Sequence, residues 1–157
     1  MKSKWQFDDF KAFEKDLLGG GFDQEMKSAT EEVGKKALNS IKYHTPVWRG
    51  TLRRAWDNND CKAEKTSDGY VVELTNKTPY AIWVEDGHRQ RPGRFIPGYW
   101  EDEKHFVYDR NAKGGMVLKR PFVKGRFFVK KGLISTKDKS KQIVNKQIEK
   151  WWKERIR

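Results

Sequence analysis

The chain has 157 residues, of which 36% are apolar and 36% charged, with nine Phe, seven Trp and five Tyr; this length suits one domain around one small core, and the aromatic content excludes a wholly disordered chain. The formal net charge of +12 is uneven, since residues 1–87 hold 14 Lys/Arg against 15 Asp/Glu and residues 88–157 hold 20 against 7; such a field attracts acidic proteins, nucleic acid or membrane without choosing among them. Cys61 is the only cysteine, which excludes an internal disulfide, and neither an apolar leader at Met1–Phe10 nor a membrane-length apolar run is present, so the expected setting is the reducing cytosol with no membrane partner.

In chain order, Phe7, Phe10, Phe13 and Leu17 recur three or four apart among charged residues, which predicts an amphipathic helix over 1–18. Gly19-Gly20-Gly21 breaks it and reads as a loop or hinge. Asp23 is the expected N-cap of a second helix, whose stripe of Met26, Thr30, Val33, Ala37 and Ile41 runs to about Tyr43. Pro46 forbids its continuation. The basic segment from Pro46 to Trp56 reads as turn-rich, and residues 57–60 as loop. Two strands are expected next, Tyr70–Leu74 and Tyr80–Val84, close enough to pair antiparallel.

Glycine, proline and arginine dominate Asp86–Gly98, which reads as an exposed loop. Residues 88–132 as a whole are expected to form a loop-rich arm. Ser135 and Asp138 have capping-box spacing, and Val144, Ile148, Trp151, Trp152 and Ile156 line one face, so a C-terminal helix is expected over 136–157. The fold class that follows is α+β, a single domain with long amphipathic helices packed on a small antiparallel β-sheet.

Three segments in order carry a resemblance: Thr45-Pro46-Val47, then Gly50-Thr51-Leu52-Arg53-Arg54-Ala55-Trp56, then Pro79-Tyr80-Ala81-Ile82-Trp83-Val84-Glu85-Asp86-Gly87-His88. Followed by an amphipathic terminal helix, they resemble the tail-component, or tail-completion, family of tailed bacteriophages, distantly akin to lambda's minor tail protein Z. The chain departs from that family's pattern at Arg49 and Ala55, where Thr and Ser are usual, and by a long stretch between His88 and Met116. The resemblance implies a non-enzymatic virion protein of the tail or neck, made in the host cytoplasm. Its implied partners are further copies of itself in a ring, hexameric in the family, together with the tail terminator or tail tube and neck or adaptor proteins. No cofactor is implied, and DNA in the ring's lumen is a further expected contact.

Pro46, Gly50, Leu52, Trp56, Tyr80, Glu85, Gly87 and His88 are the expected structural motif. Glu85 and His88, with His44 and His105, invite a metal or general-base reading, but no nucleophile or further ligand stands at a recognisable spacing. The simpler reading has Gly87 supplying a turn that Glu85 and His88 brace by hydrogen bonds. Arg49, Arg53 and Arg54, interleaved with Trp48 and Trp56, suit phosphate and base contacts; the simpler and preferred reading places Trp56 and Leu52 in a core, with the arginines solvated or bonded to Glu85 and Asp86. Arg89, Arg91, Arg94, Lys119, Arg120, Lys124 and Arg126 suit either an acidic neighbour, a DNA-facing lumen or plain solvation. A basic DNA-binding protein or small nuclease is the alternative function; it would need a carboxylate cluster for Mg²⁺, which Asp8-Asp9 and Glu101-Asp102-Glu103 do not obviously form.

Overall fold

Ala29, Ala37, Leu38 and Ile41 are buried along one side of a helix, α1, that spans Gly21–His44 in the computed structural model. The structure describes residues 21–57 and 61–155. The expected helix over 1–18, together with Gly19 and Gly20, lies outside the described residues. Gly21, the last glycine of the expected hinge, lies in α1. Asp23 therefore sits in the first turn and not at the cap, a position the helix dipole favours for a carboxylate. Its Oδ2 accepts hydrogen bonds from Lys65 Nζ at 2.8 Å and Tyr70 Oη at 2.6 Å.

Those two partners come from a hairpin, β1 (Glu64–Thr66) and β2 (Gly69–Val71), paired antiparallel with Thr66 opposite Gly69. The expected strand 70–74 is thus shorter and pairs with the segment before it. Val72, just beyond, packs on Gly34 of α1, where an added Cβ would stand 2.7 Å from a Val72 methyl.

The C-terminal helix, Phe128–Arg155, is α4, after the short helices α2 (Thr51–Arg54) and α3 (Ala81–Asp86), and it runs antiparallel to α1. Four pairs in reversed order fix that direction. Phe22 meets Trp151 edge-on at 5.1 Å, Glu25 accepts from Gln147, Ser40 and Ser135 share a 2.6 Å hydroxyl contact, and Ile41 lies over Gly132. A Cβ on Gly132 would come within 2.6–2.8 Å of Ile41. Small residues thus let the two backbones approach, and the buried stripe of α4 is Phe128, Gly132, Thr136 and Trp151. The helix begins well before the expected residue 136; Ser135 and Asp138 lie inside it and cap nothing. Ile148 and Trp152, expected on the inner face, are partly exposed because the stripe follows the glycine and threonine.

Residues 79–127 form a second compact unit, distinct from the one built by the segments up to Thr78 and from Phe128 onward. It opens with a short helix, α3 (Ala81–Asp86), where a strand is expected from the apolar run. Pro79 and Tyr80 make a turn, Gly87 ends the helix at φ 82°, and the Val84 and Glu85 carbonyls accept the amides of Arg126 and Phe127 at 2.8 and 3.0 Å. These partners satisfy helix-end carbonyls that a strand would have left to a ladder.

The segment expected as a loop-rich arm carries most of the strands. β3 (Gly87–Arg89) pairs antiparallel with β7 (Phe122–Lys124), and β4 (Phe95–Trp100) is the centre of a three-stranded antiparallel sheet between β5 (Phe106–Tyr108) and β6 (Gly115–Val117). The expected loop 86–98 therefore contains β3 and the start of β4, and only the turn from Gln90 to Arg94 stays irregular. Residues 128–132 belong to α4. Phe106 lies over Gly98 and Phe95 over Gly115, each ring occupying the space a Cβ would need. Two long helices with small antiparallel sheets make the fold class α+β.

Candidate assembly surface

The first motif segment is a tie between helix end, turn and core. Thr45, 1% exposed, donates its hydroxyl to the Ile41 carbonyl at 2.7 Å and accepts the indole N–H of Trp56 at 3.2 Å. Trp56 packs edge-on against Phe128, ring centres 6.3 Å apart. A buried indole needs such an acceptor, since an unpaired donor costs about 1–3 kcal/mol. Pro46 follows directly and stops the helix.

Gly50 precedes α2 at φ 79°, a conformation that side chains rarely adopt, and α2 then turns Leu52 into the core. Arg53 reaches back to the carbonyls of Thr45 at 3.1 Å and Tyr43 at 3.4 Å, the otherwise unpaired end of α1. Arg54 donates to the Arg49 carbonyl at 2.9 Å, and the Arg49 guanidinium lies 4.9 Å from the Trp48 ring centre. Both Arg53 and Arg54 direct donors to main-chain carbonyls of their own unit. Asn76, which sequence reasoning missed, bridges to Trp56 and donates to the Leu52 carbonyl at 2.9 Å. Only its position in a polar loop signalled it.

The second motif segment shapes the strand unit. At Gly87 a Cβ would stand 2.3 Å from the Val123 carbonyl oxygen and 2.6 Å from the Gly125 nitrogen. Only glycine fits this crossing of β3 and β7. Glu85 contributes its carbonyl to Phe127, while His88 Nδ1 is buried with no hydrogen-bond partner among the described residues. The His88 ring lies 6.3 Å from that of Trp83. Tyr80, at the start of α3, is partly exposed. Among the described residues no group of three His, Cys, Asp or Glu is placed to hold a metal ion.

The remaining basic candidates lie along a two-stranded ribbon of the strand unit, residues 84–94 against 118–126, which leads up to the start of β4. Gln90 N–H donates to Pro121 at 2.9 Å, and Gly93 and Arg94 exchange hydrogen bonds with Leu118 at 2.8 and 2.9 Å. With β3 beside β7, this brings together Arg89, Arg91, Arg94, Lys119, Arg120, Lys124 and Arg126, all exposed. The opposite end of β4 is an acidic turn. Asp102 accepts from the Lys104 and His105 amides at 2.7 and 2.6 Å and meets His105 Nδ1, whose hydrogen bond holds the Asp102 carboxyl below the ordinary range.

Large apolar side chains cover this unit's surface. Ile82, Trp83, Phe95, Tyr99, Trp100, Tyr108 and Val117 are each more than half exposed. On the helical unit, Val33, Ala37, Leu133 and Ile134 line an open apolar groove between α1 and α4. No described helix is long and apolar enough to cross a membrane.

No solved structure matches the chain. A relative, the phage-like element PBSX protein XkdI of Bacillus subtilis, is 23% identical over 149 residues, covering 88% of this chain and 91% of the relative. The model of the HK97-gp10-like family, bacteriophage HK97-gp10 tail-component, matches residues 8–87. That span takes in the Thr45–Trp56 tie and the turn up to Gly87, and the chain belongs to this family of bacteriophage tail components.

Proposed function

We propose that the chain is a structural, non-enzymatic virion subunit that completes the tail at the head-to-tail junction of a tailed phage, prophage or phage-tail-like particle. It acts there as a neck or tail-completion ring, hexameric by family resemblance, made in the host cytoplasm and joined to tail-tube, terminator or adaptor proteins. Family membership and a relative from a phage-like element support the setting. The observation that carries the reading is the surface of residues 79–127. Aromatic side chains stand exposed there beside exposed arginines, the composition of residues that dominate protein–protein interfaces. Such a surface gains by burial against other subunits.

Deleting the gene from its parent element and imaging the particles tests this. Separate heads and tails are expected, restored to joined particles by adding back the purified chain. Fully joined particles from the deletion strain would end the proposal. DNA contact in the lumen is favoured by the seven exposed cations along one ribbon of the strand unit, whereas Arg53 and Arg54 direct donors to main-chain carbonyls. Cleavage of plasmid DNA by the purified chain with Mg²⁺ would turn the reading toward the nuclease alternative.

A further inference from the structure

The three-stranded sheet of the strand unit has two unlike ends. β4 is six residues long, so its ends lie about 17 Å apart at the usual rise of a strand. At its start, Arg91 and Arg94 lie beside Lys119 and Arg120, joined by the hydrogen bonds between Gly93, Arg94 and Leu118. The stretches 87–94 and 118–126 contain no carboxylate at all. At its finish, the turn to β5 holds Glu101, Asp102 and Glu103 with a single cation, Lys104, all exposed, and so stays net acidic.

Each end also carries exposed aromatic area. Phe95 and Phe122 lie at the basic end, Tyr99 and Trp100 at the acidic one. Alternation along β4 puts Phe95 and Tyr99 on one face with Val107 and Val117, and Ile96 and Trp100 on the other with Phe106, Tyr108 and Met116. Apolar side chains therefore point both ways from this sheet. Opposite charges around apolar centres, on two separate patches of one molecule, suit head-to-tail contact and not a two-fold one.

We infer that the occupant of each end is a second copy of this chain, the acidic Glu101–Glu103 turn with Tyr99 and Trp100 of one copy docking on the Arg91, Arg94, Lys119 and Arg120 end of the next. This rests on the ring reading above and names its contact surface. The contact lies mainly beyond residue 87, where the family match ends. Repeated around a closed circle, it uses every copy's two ends once.

Two charge-reversed variants test it: E101K with E103K, and R91E with R94E. Asp102 is left alone because it holds the turn together. Each variant is checked for an unchanged thermal melt, then added to tail ends isolated from the deletion strain, and the chemical cross-linking ladder between copies is read. Wild type should give the ladder. Either variant alone should lose roughly tenfold or more of it, since like charges then face each other. An equimolar mixture of the two should recover the ladder, because every contact then pairs opposite charges again.

A mixture no better than its components, or single variants that assemble as wild type does, would overturn this surface while leaving the ring reading standing. Wild type that never cross-links on tail ends overturns both. W100A separately removes the apolar centre without changing charge, and a full ladder from it would also count against the surface. If R91E with R94E loses only retention of plasmid DNA and keeps its ladder, the basic end serves DNA and the inference fails.

Discussion

The two units use the same kinds of residue in opposite ways. In the helical unit Trp56, Phe128 and Trp151 are buried; in the strand unit Trp83, Tyr99 and Trp100 are each more than half exposed. The first set meets within its own unit, ring on ring and indole on hydroxyl. In the second set Trp83 meets the His88 ring and Trp100 the Phe106 ring, yet both stay exposed, because three-residue strands around β4 offer too little cover for side chains that point both ways. Aromatic content alone therefore does not measure a core. What distinguishes the units is whether a second layer lies over the rings, which the long α1–α4 pair supplies in one case.

The sharpest way to break this comparison is to truncate one tryptophan from each unit. W56A removes the ring against Phe128 and leaves Thr45 without its indole donor, and should cost about 3–5 kcal/mol. At about 2–4 °C per kcal/mol for a chain of this size, the melting temperature should fall by roughly 10 °C or more. W100A should change the melt by under about 1 kcal/mol while impairing assembly. A large loss of stability in W100A would show that the strand unit has a core after all.

A smaller effect is expected where backbones touch. G132L forces a side chain onto Ile41 and should cost about 1–3 kcal/mol or more, read as a lower urea midpoint. T45V keeps the shape but leaves the Trp56 indole N–H without an acceptor, for about 1–3 kcal/mol. If T45V melts like wild type, the tie between helix end and core is not what holds this motif.

The smallest effect is electrostatic and on the surface. The Lys65 ammonium and then the Tyr70 hydroxyl hold the Asp23 carboxyl below its ordinary value of 3.8, and the same contacts raise Lys65 and Tyr70. A depressed carboxylate stabilises the fold fully above its unfolded value and ceases to do so as pH falls through the folded one. Protection factors at Lys65 and Tyr70, the measured exchange rates referred to the intrinsic rates at each pH, should therefore fall in acid. D23N should already show the lowered protection near neutral pH and lose most of the pH response.

Much of the helical unit was legible beforehand. The spacing of Ala37 and Ile41 located the buried face of α1, Pro46 located its end, and Trp56 and Leu52 proved to be core. The start of α4 was not legible, because its contact stripe uses Gly132 and Thr136, residues that carry no hydropathic signal and matter only once Ile41 lies across them. α3 was misread as a strand because an apolar run of five residues has no period that distinguishes the two, and the carbonyl partners that settle it lie some forty residues later in the chain. The strands of 87–124 were hidden by glycine, proline and arginine. The glycines there are required by rings and crossing backbones, a demand visible only in three dimensions. Arg53 and Arg54 have donors that face main-chain carbonyls, another arrangement that no local pattern reveals.

The brevity of β5 and β6 has a consequence for the protein while it is still unassembled. An exposed aromatic sheet with long free edges would recruit strands from other chains and grow into fibres. Outer strands of only three residues offer too few main-chain groups in a row to seed such growth. The polypeptide can thus display a sticky surface at high concentration in a crowded cell and still avoid amyloid, keeping those rings available for a finite structure.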